Sequence, residues 1–173
     1  METKSKATLE SKQYLTFILD RELFAFEVLK VKEVLEVTRI TKVPKTPSFM
    51  TGVINLRGGV VPVIDLRLKF EMNGNSHTVD TAIIIVETEF DGEIIIIGAL
   101  VDAVKEVIRL DSSQIEVPPK VGMNVSGEFI DNIGKKGDDF IIILDSSKVF
   151  SKKELEYVKE VSVNDITAGE MAV

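Results

Sequence analysis

The sequence predicts an all-β fold of two small barrels, and three observations carry that expectation. Runs of β-branched residues are bounded by Asp and Gly, the pattern of hairpins in a buried sheet. The same series of segments occurs twice in the same order. Long helical periodicity is scarce before residue 150.

After a polar lead from Met1 to about Ser11, expected to fray, the strand signals begin. Tyr14-Leu15-Thr16-Phe17-Ile18-Leu19 and Leu23-Phe24-Ala25-Phe26 flank a break at Asp20-Arg21-Glu22. Ala82-Ile83-Ile84-Ile85-Val86 and Ile94-Ile95-Ile96-Ile97 flank a second break, at Glu89-Phe90-Asp91-Gly92. Val31-Lys32-Glu33-Val34-Leu35 returns as Val104-Lys105-Glu106-Val107-Ile108, and Ile40-Thr41-Lys42-Val43-Pro44 as Ile115-Glu116-Val117-Pro118. Each half closes with a hairpin. The first turns at Arg57-Gly58-Gly59 between Gly52–Leu56 and Val60–Asp65. The second turns at Gly134-Lys135-Lys136-Gly137 between Glu128–Ile133 and Asp139–Asp145. About five strands per repeat suit a small closed or partly open barrel.

Three helical pieces are expected. Asp65 to Phe70 reads as a helical turn, and Pro47-Ser48-Phe49-Met50 as another because proline suits a first helical position. A C-terminal helix is signalled by Ser151 and Glu154 as an S-x-x-E capping box, with Phe150 and Leu155 placed as a hydrophobic staple. Periodicity is lost from Asn164 to Val173, where fraying is expected.

Composition narrows the function. A net charge of -7 argues against nucleic acid or an anionic membrane as partner through a general field. Without cysteine there are no disulfides, thiolate metal sites or cysteine nucleophiles. The polar N-terminus lacks a signal-peptide run, and Ile94–Val101 is far short of the about 20 apolar residues that cross a bilayer. A cytoplasmic location is the expectation. His77 is the only histidine and lies in a polar link, so it reads as an exposed loop residue and not as half of a metal pair. No phosphate loop is present, and Asn124-Val125-Ser126 is a chance match to a glycosylation acceptor in such a compartment. No catalytic residue, metal or cofactor is expected, which leaves binding through surfaces and edges.

From Val28 the chain runs Val-Leu-Lys-Val-Lys-Glu-Val-Leu-Glu-Val-Thr-Arg-Ile-Thr-Lys-Val-Pro. It continues through Pro47–Met50, Gly52-Val53-Ile54-Asn55-Leu56-Arg57-Gly58 and Val61-Pro62-Val63-Ile64-Asp65-Leu66-Arg67. This stretch resembles the CheW family of chemotaxis coupling proteins, with the likeness reaching from about Gln13 to Phe150 and weaker in the second half. The resemblance implies two SH3-like five-stranded β-barrels and a non-enzymatic adaptor. The implied partners are the regulatory domain of the histidine kinase CheA and the cytoplasmic tip of methyl-accepting chemoreceptors. The domain would span residues 13–150, with a first barrel over about 16–80. A second barrel would cover about 81–150 together with the N-terminal strand near 13–16, and 151–173 would form the helix and tail.

The family pattern places partner binding at Val31, Glu33, Gly52 and Arg57. Val31 reads equally as a core side chain or an exposed contact. Gly52 reads also as a position that needs positive φ or close packing, and Arg57 as a solvated charge at a hairpin tip. Glu33 and Arg57 are expected to form an ion pair, with the guanidinium gripping the carboxylate bidentately. Two neighbouring roles stay open: a coupling protein of a non-flagellar chemosensory pathway, and the regulatory segment of a CheA-type kinase.

Overall fold

The computed structural model describes residues 10–37, 39–72, 77–118 and 129–159. The Asn124–Ser126 acceptor match and the tail from Asn164 lie outside the described residues. The strands are β1 (Ser11–Leu19), β2 (Glu22–Glu27), β3 (Val31–Glu36), β4 (Met50–Leu56) and β5 (Gly59–Asp65), then helix α1 (Leu66–Lys69). They continue as β6 (Ala82–Phe90), β7 (Glu93–Val101), β8 (Ala103–Asp111), β9 (Ile115–Glu116), β10 (Ile130–Lys136) and β11 (Asp139–Leu144), and helix α2 spans 152–159. No helix among the described residues is long and apolar enough to cross a membrane.

The strands form two half-barrels, one ordered β3-β6-β7-β5-β4 and the other β8-β1-β2-β11-β10-β9. A cut near residue 80 therefore does not separate them. The whole β1–β2 hairpin belongs to the sheet otherwise made by the second repeat, and β6–β7 belongs to the sheet of the first. Link length explains the exchange. β3 is antiparallel to β6, which is antiparallel to β7, so β3 and β7 run parallel. Had β1–β2 taken the place of β6–β7, β2 and β3 would be parallel neighbours-but-one in a single sheet. They are joined only by the short turn Val28–Lys30, whereas a parallel crossover needs about a dozen residues. The same argument applies to β7 and β8, which Asp102 alone connects. At each of these two links the chain must change sheets.

The two sheets match residue for residue. The row Val34–Ile84–Ala99–Ile64–Met50 crosses the first. The row Val107–Leu15–Phe26–Leu144–Ile130 crosses the second with the same pairing senses. Each half-barrel has its own interior: Ile54, Val61, Val63, Ile83, Ile85 and Leu100 in the first, and Tyr14, Ala25, Ile108, Leu110, Ile141 and Ile143 in the second. The largest cluster lies between them and includes Phe17, Phe24, Phe26, Ile84, Ile97 and Phe150.

Hairpin turns follow their chemistry. Asp20-Arg21, Arg57-Gly58 and Asp91-Gly92 each place two residues at positive φ between paired strand ends, as type I′ turns require. The last hairpin differs from expectation. Gly134 pairs with Ile141 inside the ladder, and the turn is Gly137-Asp138. A Cβ on Gly134 would stand 2.7 Å from Leu110 Cδ1, so this glycine makes room for packing and does not turn the chain. The expected helix at Pro47–Met50 is instead a single turn, closed by Met50 N–H donating to the Pro47 carbonyl (3.0 Å). Met50 is already paired with Ile64, so the strand ladder claims the backbone before a helix can propagate. The turn at Asp65 is helical as expected, capped by its own carboxylate accepting from Arg67 N–H.

Candidate partner-binding surface

Arg57 sits at φ +50° in the tip of the β4–β5 hairpin, and Asn55 Oδ1 accepts from Gly58 N–H (2.9 Å) to hold the turn. Glu33 lies on β3. In sheet order β3 and β4 are opposite edges, and the curl of the sheet brings them together. Arg57 Nη2 is 2.8 Å from Glu33 Oε2 and 3.1 Å from Oε1. The expected ion pair is present, but one nitrogen is shared between both oxygens, so it is not a two-pronged guanidinium grip. Arg57 remains largely exposed and Glu33 is three-quarters covered.

Gly52 enforces the same closure from below. The Thr41–Val53 bridge joins the chain after β3 to β4, through reciprocal N–H···O bonds of 2.8 Å. A Cβ on Gly52 would lie 2.2 Å from the Thr41 carbonyl oxygen. Gly52 is buried, so it shapes the edge without presenting a side chain to a partner. Val31 points elsewhere. A bulge between Val31 and Glu33 turns β3, so Val31 packs half-buried on the cluster between the half-barrels while Leu35 packs inside its own. Of the four residues singled out from the sequence, the structure unites Glu33 and Arg57 at one rim, supports them with Gly52, and sets Val31 apart.

The pair borders a groove of about 560 Å³. Its floor includes Leu56, Val61, Ile85 and Ile96, and its rim carries Lys32, Glu93, Ile94 and Lys159. Lys32 bonds Glu87 at 2.9 Å and Lys159 bonds Glu93 at 2.7 Å. The hydrogen bond to Glu93 raises the Lys159 ammonium above its ordinary pKa. Sequence reading passes over these rim residues. Ile94 belongs to an unbroken isoleucine run that reads as buried strand, yet it is 68% exposed. Only its place at the start of β7, beside the Asp91-Gly92 turn, signals otherwise.

Helix α2 reaches the groove through Lys159 at its end. Ser151 Oγ accepts from Glu154 N–H (3.1 Å) and Glu154 Oε1 accepts from Ser151 N–H (2.7 Å), completing the expected capping box. Phe150 and Leu155 are both buried, as a staple requires. Glu154 also receives Lys69 Nζ at 2.6 and 2.7 Å. That ammonium stands 4.8 Å from the Phe129 ring centre and 5.5 Å from that of Phe49. His77 is exposed, as expected for a loop histidine.

A CheW-like domain model matches residues 13–154. The chain is 33% identical over 150 residues to the chemotaxis protein CheW of Klebsiella aerogenes, covering 87% of this chain and 88% of that one. It is also 33% identical over 151 residues to the chemotaxis protein CheW of Thermotoga maritima, covering 83% and 91%. The crystal structure of the scaffolding protein TtCheW from Thermoanaerobacter tengcongensis superposes with a TM-score of 0.76 at 39% identity, covering 84% of this chain and 97% of that one.

Proposed function

Because the chain belongs to the CheW-like domain family, we propose that it is a non-enzymatic adaptor coupling methyl-accepting chemoreceptors to the histidine kinase CheA. The match across both half-barrels to a solved scaffolding protein is the observation that carries this reading. Relatives named as chemotaxis proteins are matched over nearly their whole length, which supports the coupling role. The adaptor works in the cytoplasm and reaches receptor arrays through its partners.

The site chemistry agrees with recognition. A groove with an apolar floor and a mixed-charge rim suits a polypeptide surface, where apolar contacts supply affinity and rim charges set register. Glu33 and Arg57 hold that rim in shape. The test is co-precipitation with CheA regulatory-domain and receptor-tip fragments, beside a kinase assay. The adaptor is expected to bind both, to raise receptor-coupled kinase activity, and to show no turnover alone. Failure to bind either fragment overturns the reading.

A further inference from the structure

The residue matching between the two sheets extends past their strands. Asp65 follows Ile64 and Asp145 follows Leu144, the matched residues of the rows above. Asp65 Oδ1 accepts from Arg67 N–H at 2.9 Å, and Asp145 Oδ1 accepts from Ser147 N–H at 2.9 Å. Ser147 therefore stands where Arg67 stands in the other half.

In the first half that place is filled. The Arg67 side chain is 2% exposed, with Nε 3.0 Å from Asp65 Oδ1, Nη2 2.9 Å from Asp65 Oδ2 and Nη1 2.8 Å from Asp102 Oδ1. In the second half the arginine is replaced by serine and a cavity of about 270 Å³ opens. Glu27, Asp131 and Asp145 line it, with Lys30, Ser146 and Ser147. Lys148 approaches Asp145 Oδ2 only to 3.9 Å and is itself exposed. Ser146 is buried, and its hydroxyl has no hydrogen-bond partner. Among the described residues no cluster of acidic or imidazole groups is placed to hold a metal ion. Two unlike features thus coincide: an acidic cavity at the position where the twin half buries a guanidinium, and an unsatisfied buried hydroxyl in its wall.

We propose that this cavity is a socket for an arginine side chain presented by a partner polypeptide. The incoming guanidinium takes up the contact that Arg67 makes with Asp65, pairing with Asp145 and displacing the Ser147 hydroxyl that donates to Asp145 Oδ1 at 2.6 Å, while Glu27 and Asp131 balance its charge. Arginine is favoured over lysine because an ammonium offers no planar fork. The site lies apart from the Glu33–Arg57 rim and does not depend on the adaptor reading.

The test is amide NMR of the full chain titrated with N-acetyl-arginine amide and, separately, N-acetyl-lysine amide. Saturable shifts at Ser146 and Ser147 are expected with the arginine probe and weaker ones with lysine. Asp145→Asn should weaken arginine binding about tenfold, the loss of one charge-assisted hydrogen bond. Glu27→Gln with Asp131→Asn leaves the turn intact and should weaken it as well. Ser147→Arg should fill the cavity from within and abolish binding. Non-saturable shifts, equal response to both probes, or undiminished binding by the Ser147→Arg chain would overturn the proposal.

Discussion

Gly52 is the position at which a single methyl group does most damage. Its Cβ would overlap a backbone carbonyl that cannot retreat, because Thr41 is bonded to Val53 on the other side. Gly52→Ala is expected to lower stability by about 3 kcal/mol, read as a reduced urea midpoint. Arg57→Ala should behave oppositely. Arg57 is largely exposed, so stability should move by less than about 1 kcal/mol while binding to kinase and receptor fragments is lost. Unchanged binding would remove Arg57 from the recognition surface. The Glu33–Arg57 pairing is legible in the sequence from charge and motif. Its one-nitrogen geometry is not, because that depends on how far the sheet curls. Tyr14 gives a pH prediction. Burial first, then the Glu27 and Asp131 carboxylates, raise its phenol above the ordinary value of 10.0. The folded state thus holds this proton more tightly. The associated stability is complete below pH 10 and is lost as pH rises further, so Tyr14→Phe should flatten the alkaline fall in thermal midpoint.

Among the elements, α2 packs Leu155 and Val158 into the central cluster and carries in Glu154 a residue with two roles. Glu154 closes the capping box and neutralises a buried ammonium, with side-chain exposures of 14% for Glu154 and 7% for Lys69. Glu154→Gln preserves the cap but strips Lys69 of its counter-charge, and should cost about 3–5 kcal/mol by denaturant unfolding. Adding Lys69→Met removes the stranded charge and should restore most of that loss. A pair of single and double variants with simple additivity would show that the two side chains act separately. The Ser151–Glu154 capping box is readable because it is a local rule acting over four residues. The expected helix at Pro47 fails for the complementary reason: proline permits a first turn, but Met50 is claimed by Ile64 on the next strand, β5, beyond the reach of a rule acting over four residues. Gly134 fails likewise, since the Leu110 side chain it accommodates lies on β8.

At the scale of the molecule, the duplication is visible in the sequence but the exchange of hairpins is not visible in its patterning. β1–β2 and β6–β7 carry equivalent patterns, so either fits either sheet by local chemistry. The decision lies in the shortness of Val28–Lys30 and of Asp102, a topological constraint instead of a residue preference. It follows that fragments 1–80 and 81–173 should each lack a complete half-barrel. Neither is expected to give a cooperative thermal transition by circular dichroism, whereas the mixture should co-elute and recover one. Independent melting of either fragment would contradict the exchanged topology. The exchange also sets an order of maturation on the ribosome. The sheet that needs only β3 to β7 is complete in sequence once Val101 has been made, while the hairpin born first, β1–β2, finds its last partner only with β11. The earliest-made strands are thus the last to complete their pairing, with Phe24, Ala25 and Phe26 waiting for Ile142, Ile143 and Leu144.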